Sequence, residues 1–311
     1  MVGDGDAQSV VDALIVGGGP AGLSAAIYLA RALRSVVVCD AMRPGRSDWA
    51  QTNFNYFGFP DGISIVELTA RGRRQAERFG ARILDHEVTA VARDGNGFVA
   101  TVDGAPLRCR AVVLATGVAD KWVPFPGHEA YIGRSMHWCV VCDGHEMAGQ
   151  RVLVVGRTAE AAEMAVQMRR YAASVALLVE AGAEPMPQPA LDALHRSGVP
   201  ILLGTIASAR ARATGYFAAV TLADGTEIEV DHVFSLRGAV PNTKLAASLG
   251  VKLTAEGYIQ VDTEAHTSVR GVFAAGDVTR LFSHQVITAA HEGAAAAMAL
   301  DYLLFQADGG G

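Results

Sequence analysis

The sequence has little positive charge and no long apolar run. Its 311 residues include 26 Lys and Arg against 32 Asp and Glu, which gives a formal net charge of −6. Nucleic acid is therefore not an expected partner, because binding its phosphates requires a basic surface. No apolar run approaches the ~18 residues that a membrane-spanning helix needs, so no membrane partner is expected either.

The start of the chain lacks the pattern of a secretory signal. Residues 1–10, MVGDGDAQSV, are acidic, whereas a signal peptide has a basic region followed by a long apolar stretch. We therefore expect a cytoplasmic protein. In that reducing compartment, a framework of structural disulfides is not expected.

Cysteine is scarce, and two of the four cysteines stand apart from the others. Cys39 and Cys109 lie in apolar, strand-like runs and are expected to be small buried hydrophobic residues. Cys139 and Cys142 lie in HWCVVCDG (137–144), with two residues between them. This spacing is compatible with part of a metal site, a structural disulfide or a redox-active dithiol.

The redox-active dithiol is the interpretation that we favour for this motif. A zinc site normally needs four ligands, and the chain has no second closely spaced cysteine pair. Two histidines, His137 and His145, flank the motif and would be the remaining candidates for ligands. We predict that no metal is bound there.

A strand-like run, a glycine turn and an alanine-rich helical stretch follow one another twice along the chain. The first copy begins at Asp12 and the second at Arg151. Each copy leads into a further apolar run that ends in an acid, Asp40 or Glu180. Both copies are βαβ units, so we predict an α/β protein with two Rossmann-like dinucleotide-binding domains.

Two segments mark the expected boundaries between these domains. The stretch 118–126 carries two prolines, and the stretch 238–243, GAVPNT, would return the chain to the first domain. We predict a first domain made of residues 1–119 and 243–311. The second domain, residues 120–242, would be inserted in the first.

The first glycine loop has the form G-x-G-x-x-G between a strand and a helix. Gly17 would allow the tight turn, Gly19 the close approach of a pyrophosphate, and Gly22 the close packing of the helix on the strand. The helix N-terminus would then face the phosphate charge. Asp40 follows the second strand, where an acid binds the hydroxyls of an adenosine ribose. NAD and FAD proteins share this loop, so it does not identify the dinucleotide.

Seven motifs spread over nearly the whole chain occur together in one order. They are VGGGPAGLSAAIYLAR (16–31), NYFGFPDGIS (55–64), VVLATG (112–117), WCVVCDG (138–144), GAVPNT (238–243), VFAAGDV (272–278) and HQVITAAHEGAAAA (284–297). In this order they resemble the low-molecular-weight thioredoxin reductases and their flavoprotein relatives. The resemblance implies the thioredoxin-reductase fold, a homodimer, and FAD bound in the first domain.

The resemblance also implies which residues bind FAD. The first glycine loop would hold the pyrophosphate, and Asn55 would lie beside the flavin ring. Asp277 would bind the ribityl chain, while Gln285 and Val286 would reach the pyrimidine edge. In chain order, the implied FAD-binding residues are Gly17, Gly19, Pro20, Ala21, Gly22, Asp40, Asn55, Thr116, Gly117, Asp277, Gln285 and Val286.

By the same resemblance, Cys142 would face the flavin and Cys139 would attack the external partner. Asp143 would be the acid or base for the proton that exchange releases. The spacing supports these roles, because two cysteines at a helix start are within disulfide reach and close to N–H groups that stabilise a thiolate. The thiolate is the nucleophile of thiol–disulfide exchange.

The second glycine loop departs from the family pattern. β-Branched Thr158 stands where the backbone must approach a pyrophosphate. Glu180 stands where the family has a cationic cluster for the 2′-phosphate of NADPH, and a carboxylate repels that phosphate. We therefore predict a second domain that keeps its fold and its cysteine pair but binds no nicotinamide. The binding of NADH through Glu180, and of NADPH, stay open as alternatives.

Further departures surround the expected flavin site. His284 replaces an arginine of the family, and His291 replaces a small residue. Because histidine titrates near neutral pH, His291 is a candidate base; the alternative is a histidine bound to backbone or water near the helix start. Trp138 would either shield the disulfide and the flavin or pack in the core. The stretch 45–53, GRSDWAQTN, also differs from the family.

Together these features predict an FAD-dependent thiol–disulfide oxidoreductase that works without NADPH. Electrons would pass between the flavin, the Cys139/Cys142 pair and an external thiol or disulfide. Three enzymes fit: one that takes electrons from a ferredoxin-type donor and reduces a thioredoxin-like protein; one that oxidises a small-molecule or protein dithiol and passes the electrons to O2; and an NAD(P)H-dependent thioredoxin reductase. A non-enzymatic flavin redox sensor is the fourth alternative.

Overall fold

The computed structural model describes residues 10–43, 45–180, 182, 185–279 and 283–310. The N-terminal stretch that underlies the localisation prediction therefore lies outside the described residues, apart from Val10. Within the described ranges, no helix combines the length and the apolar character that crossing a membrane requires.

Up to Asp120, the residues that the structure describes form nine strands and two helices. The strands are β1 (Val11–Val16), β2 (Val36–Cys39), β3 (Thr52–Asn53), β4 (Ile63–Ser64), β5 (Arg82–Leu84), β6 (Val88–Asp94), β7 (Gly97–Val102), β8 (Ala105–Leu114) and β9 (Val118–Asp120). The helices are α1 (Pro20–Arg31) and α2 (Ile65–Arg78).

The remaining elements follow in chain order. They are β10 (Met136–His137), α3 (Val140–Asp143), β11 (Arg151–Gly156), α4 (Ala159–Met168), β12 (Ser174–Val179), α5 (Gln188–Arg196), β13 (Ile201–Leu203), β14 (Ile206–Ala213), β15 (Tyr216–Leu222), β16 (Glu227–Glu229), β17 (His232–Leu236), β18 (Ala239–Pro241), α6 (Lys244–Ser248), β19 (Val272–Ala274) and α7 (Val286–Ala307). Short 3₁₀ helices span His128–Tyr131 and His145–Met147.

The first sheet is mixed, with the order β5-β2-β1-β8-β7-β6 and β19 beside β8. Strand β1 is parallel to both of its neighbours, β2 and β8. Its residues Ala13, Leu14 and Ile15 are fully buried, because α1 and α7 cover one face of the sheet and the segments around α6 cover the other. A strand covered on both faces reads as a continuous apolar run, as VDALIV does.

The second sheet has the order β10-β17-β11-β12-β13, and all its described pairs are parallel. Helices α4 and α5 pack on one face, and the antiparallel sheet β14-β15-β16 packs on the other. Two parallel βαβ cores in one chain confirm the predicted α/β class with two Rossmann-like units. The chain passes between the two sheets through β9 and β18, which pair antiparallel. The domain boundaries at 119/120 and 242/243 stay a prediction.

Candidate active site

A cavity of about 930 Å³ opens where β1, β2, β8 and β19 end, which is the edge at which parallel sheets bind ligands. Its volume is in the range of cofactor sites. The predicted site residues that line it are Gly17, Gly19, Pro20, Ala21, Asp40, Thr116, Gly117, Cys142, Asp277, Gln285 and Val286. Those outside the lining are Gly22, Asn55, Cys139, Asp143 and His291.

The first glycine loop has the geometry of a phosphate cradle. Gly17 has a φ of +114°, and a Cβ there would lie 2.2 Å from the carbonyl oxygen of Ala115. A Cβ on Gly22 would lie 1.9 Å from the carbonyl oxygen of Gly17, so both positions need glycine for close packing. Gly19 is the N-cap of α1, and Pro20 follows at the start of the helix. The first free N–H groups of α1 therefore face the cavity, which suits a dinucleotide pyrophosphate.

Two of the acids that line the cavity, Asp40 and Asp277, have arginine partners that the sequence did not reveal. Nη1 of Arg73 lies 3.3 Å from Oδ2 of Asp40. Arg46 donates from Nη1 to Asp277 over 2.7 Å and binds both oxygens of Asp120, over 2.9 and 2.6 Å. Burial acts to lower the pKa of Arg46, but the two carboxylates outweigh it and raise that pKa. Arg46 lies in the stretch 45–53 that departs from the family, far in sequence from its partners Asp120 and Asp277.

Cys139 and Cys142 form a disulfide at the start of α3. Cys139 is the N-cap, and its Sγ accepts a hydrogen bond from the backbone N–H of Cys142 over 3.1 Å. This N–H is of the kind that stabilises a thiolate. Cys142 lines the cavity and Cys139 does not, which supports the expected division of roles. Cys39 and Cys109 are free and buried, as predicted.

Gln285 holds the disulfide against the cavity. Its Nε2 lies 3.5 Å from Sγ of Cys139 and 3.4 Å from Sγ of Cys142. Gln285 is also the N-cap of α7, where it forms a capping box with Thr288. Asn55 donates to Oε1 of Gln285 over 3.0 Å, which puts Asn55 beside the disulfide and outside the cavity lining. Its expected position beside the flavin ring stays a prediction.

The carboxyl group of Asp143 points towards two buried histidines. Its Oδ1 lies 3.3 Å from Nδ1 of His137, and Nε2 of His137 lies 3.0 Å from Nδ1 of His232. All three residues are buried. Burial, together with the neighbouring His137, lowers the pKa of His232 to about 4. His232 went unnoticed in the sequence because the pairing of β10 with β17 brings together residues that are far apart in the chain.

The three tryptophans of the chain pack edge to face beside the disulfide. The ring centroids of Trp49 and Trp122 are 5.9 Å apart, and those of Trp122 and Trp138 are 5.3 Å apart. The guanidinium of Arg46 lies 5.2 Å from the Trp138 ring. Trp138 also lines the cavity, so it both packs and borders the cofactor site. This cluster ties the loop after β2 to the segment that carries the cysteines.

His291 lies on an exposed part of α7 and is not among the cavity-lining residues, whereas His284 is. The role of His291 as a base stays a prediction.

Glu292 was missed in the sequence: it is buried and accepts from the N–H of Gly276 and from Oγ1 of Thr279, each over 2.8 Å. It therefore ties α7 to the loop that holds Asp277.

The second glycine loop is closed by an ion cluster. Glu180, directly after β12, is only 3% exposed. Its Oε1 accepts from Nη1 of Arg237 over 2.8 Å, and its Oε2 lies 3.5 Å from Nε of Arg157, inside the loop itself. Thr158 is the N-cap of α4, and its side chain makes no capping hydrogen bond. None of the residues 156–158 lines the large cavity.

Comparison with known proteins gives the family. The model of the pyridine nucleotide-disulphide oxidoreductases matches residues 11–297. The thioredoxin reductase of Mycolicibacterium smegmatis is 33% identical over 308 residues, which cover 97% of this chain and 99% of the relative. The crystal structure of Streptococcus pyogenes MGAS5005 thioredoxin reductase has a TM-score of 0.89 at 28% identity and covers 97% of this chain and 99% of its own. The crystal structure of HlmI has a TM-score of 0.88 at 31% identity, and the match covers 97% of this chain and 94% of the HlmI chain.

These matches agree with the cavity and the cysteine pair. The family consists of flavoproteins whose cofactor is FAD, and the glycine cradle at the N-terminus of α1 fits the pyrophosphate of that cofactor. Cys142 lies in the lining of the same cavity. The chain thus belongs to the pyridine nucleotide-disulphide oxidoreductase family, and it is a thioredoxin-reductase-like, FAD-dependent disulfide oxidoreductase.

Proposed function

We propose that this enzyme exchanges electrons between FAD, the Cys139/Cys142 pair and an external thiol or disulfide without a nicotinamide dinucleotide. The observation that carries the proposal is the Arg157–Glu180–Arg237 ion cluster at the second glycine loop. In this cluster, Glu180 and the loop residue Arg157 bind each other, although a nicotinamide nucleotide would have to contact both.

A ribose-binding acid must present its carboxylate to the ligand. Glu180 is 3% exposed and has a guanidinium beside each oxygen, so it is not free to bind the diol of NADH. A 2′-phosphate would meet the negative charge of Glu180 between the two arginines, which weakens their attraction for NADPH. Thr158 adds a β-branched side chain where the backbone would approach the pyrophosphate.

The chain's own residues account for the exchange step. A substrate thiolate attacks Sγ of Cys139, the S–S bond breaks, and Cys142 leaves as a thiolate. The second substrate thiolate then attacks the mixed disulfide and releases Cys139. Two electrons pass from the substrate dithiol to the cysteine pair, and the two thiol protons leave through an acid–base group, for which Asp143 is the candidate. Bound FAD supplies the two-electron acceptor, or the donor in the reverse direction.

The external partner is proposed from the relatives and from the surface beside the disulfide. The relatives in Mycolicibacterium smegmatis and Streptococcus pyogenes are named thioredoxin reductases, so a thioredoxin-like protein is the first partner to test. Val141, between the cysteines, is 71% exposed and gives such a partner an apolar contact. A small-molecule dithiol is the second candidate, and a ferredoxin-type protein is the donor candidate for electrons that flow outwards.

Anaerobic bleaching of the flavin absorbance tests the proposal. NADPH, NADH and dithiothreitol are added in separate cuvettes, and air is then readmitted. We expect bleaching by dithiothreitol alone and a return of colour with air. Rapid bleaching by either nicotinamide would contradict the proposal. Many equivalents of dithiol consumed per flavin indicate an enzyme, whereas a halt near one equivalent indicates a sensor.

A matched variant assigns the bleaching to the cysteine pair. Cys142→Ser is expected to abolish reduction by dithiothreitol while FAD stays bound, because the sulfur that lines the cavity is lost. Loss of FAD from this variant would show that Cys142 has been assigned to the wrong side of the site. Cys109→Ser serves as the control, since Cys109 is buried, free and remote from the disulfide in the sequence.

A further inference from the structure

Two neighbouring buried side chains next to the disulfide, His137 and Asp143, each carry a polar atom without a hydrogen bond. Among the described residues, Nδ1 of His137 and Oδ2 of Asp143 are both buried and without a hydrogen-bond partner. Nδ1 of His137 lies 3.3 Å from Oδ1, the other carboxylate oxygen of Asp143. Unsatisfied buried polar atoms cost stability, so a pair of them next to a reactive centre calls for a functional reason.

We infer that His137 and His232 form a proton relay that serves Asp143 during thiol–disulfide exchange. The inference rests on the proposed function, in which Asp143 handles the thiol protons. The two histidines are positioning residues, because they act on the cysteines only through Asp143.

The need for a relay follows from the surroundings of the sulfurs. Gln285, the side chain beside both sulfurs, is an amide and does not exchange protons with them at ordinary pH. The carboxyl group of Asp143 is 11% exposed and points inwards at His137. A proton taken up by Asp143 therefore needs a path that does not cross the disulfide.

The histidines supply such a path through matched ring nitrogens. A proton passed from Asp143 to Nδ1 of His137 makes that ring cationic and turns the 3.3 Å contact into an ion pair. His137 then gives the proton on Nε2 to Nδ1 of His232, 3.0 Å away. One proton enters at Asp143 and one arrives at His232, so the protons balance and no electrons move. The proton then leaves from Nε2 of His232, a residue that is 9% exposed to solvent. Each ring is then in its other tautomer, and a proton that passes back towards Asp143 restores both.

The strand register holds the two rings in place. Strands β10 and β17 are parallel, and His137 is paired with Phe234, two residues beyond His232. The His137 ring lies 5.2 Å from both the His232 ring and the Phe234 ring. Packing on both sides limits the rotation that would break the relay.

The relay ends close to charged groups at the start of β17. His232 follows half-buried Asp231, and Asp231 binds Arg151 and lies 3.3 Å from Arg212. The groups that act on His232 are therefore His137 from β10, Asp143 from α3, Arg212 from β14 and Asp231. Burial, His137 and Arg212 together lower the pKa of His232 to about 4, so the neutral ring is its resting form and a proton that arrives there is passed on.

Anaerobic stopped-flow bleaching by dithiothreitol, followed from about pH 5.5 to 9, tests the relay. His137→Gln keeps a polar side chain beside Asp143 but cannot pass a proton on. We expect His137→Gln, His232→Asn and Asp143→Asn each to slow bleaching at least tenfold near pH 7, since general acid–base groups contribute ~10²–10⁴-fold. The double variant Asp143→Asn/His137→Gln should be no slower than Asp143→Asn, because both residues act in one path.

The control is His145→Gln, which changes an exposed histidine two residues after Asp143 and should keep the wild-type rate. A wild-type rate in His137→Gln, or effects that multiply in the double variant, would overturn the relay and leave the proposed function standing. If dithiothreitol fails to bleach the wild-type protein, the proposed function and the relay fall together.

A measurement on the wild-type protein covers the case in which a variant does not fold. The bleaching rate is measured in mixtures of H2O and D2O. A relay moves more than one proton in the slow step, so the rate should fall along a curve as the D2O fraction rises. A straight line means a single proton in flight and contradicts the relay.

Discussion

The side-chain amide of Gln285 lies 3.4 Å from Sγ of Cys142, and the same residue caps α7. One residue thus joins the redox disulfide to the helix whose start lines the cofactor cavity. This contact holds the cysteine pair against the cavity. Under the proposed function, which uses no nicotinamide, this docked arrangement would be the working one.

Gln285→Ala is predicted to loosen this docking. The variant loses the contact to both sulfurs and the cap of α7, so we expect bleaching by dithiothreitol to slow about tenfold and the free energy of unfolding to fall by ~1 kcal/mol. Thr288→Ala is the matched control, because it removes the capping partner and leaves the sulfur contacts. Equal bleaching rates in the two variants would mean that the cap matters and the sulfur contact does not. Stopped-flow absorbance and thermal melting give the two readouts.

Restoring nicotinamide use is predicted to require two changes. Thr158→Gly alone should leave NADPH without effect, because Glu180 still lies between Arg157 and Arg237. Thr158→Gly combined with Glu180→Ser frees both guanidiniums for a 2′-phosphate, and we expect at least tenfold tighter binding of NADPH, with NADPH preferred over NADH. Isothermal titration calorimetry measures both affinities. Tight NADPH binding by the single variant would show that Glu180 is no barrier.

Much of this architecture was predictable because it depends on local sequence. The strand, glycine loop and helix around Gly17 are set by neighbours in the chain, and the same holds for the cysteine pair at the start of α3. Both βαβ units were therefore predicted correctly, whereas the binding of the FAD pyrophosphate by the first glycine loop stays a prediction.

The partners of the site acids depend instead on tertiary packing. Arg46 reaches Asp277 across 231 positions, and His137 reaches His232 across 95. No local pattern marks such pairs, because a single arginine or histidine fits many environments. For the regions around Arg46 and Glu180, the departures from the family pattern were the signals that the site differs from that of the family. They did not reveal the partners.

The low pKa of His232 predicts an acid-sensitive fold. Burial lowers its pKa from 6.5 to about 4, so the unfolded chain binds a proton between these values and the native chain does not. Stability contributed by neutral His232 is full above pH 6.5 and falls by ~1.4 kcal/mol per pH unit as the pH drops towards 4. Urea unfolding of wild type and His232→Gln at several pH values gives the difference. Parallel pH dependences in the two proteins would contradict this assignment.

The tryptophan cluster is predicted to keep the disulfide docked. Trp122 touches both Trp49 and Trp138, so Trp122→Leu removes two edge-to-face contacts, each worth ~0.5–1.5 kcal/mol. The segment with the cysteines should then open more often. We expect Cys139 and Cys142 of the reduced protein to be alkylated by iodoacetamide several times faster than in wild type. Trp49→Phe keeps an aromatic ring against Trp122 and should alkylate at the wild-type rate, whereas equal acceleration in both variants would mean a general loss of stability.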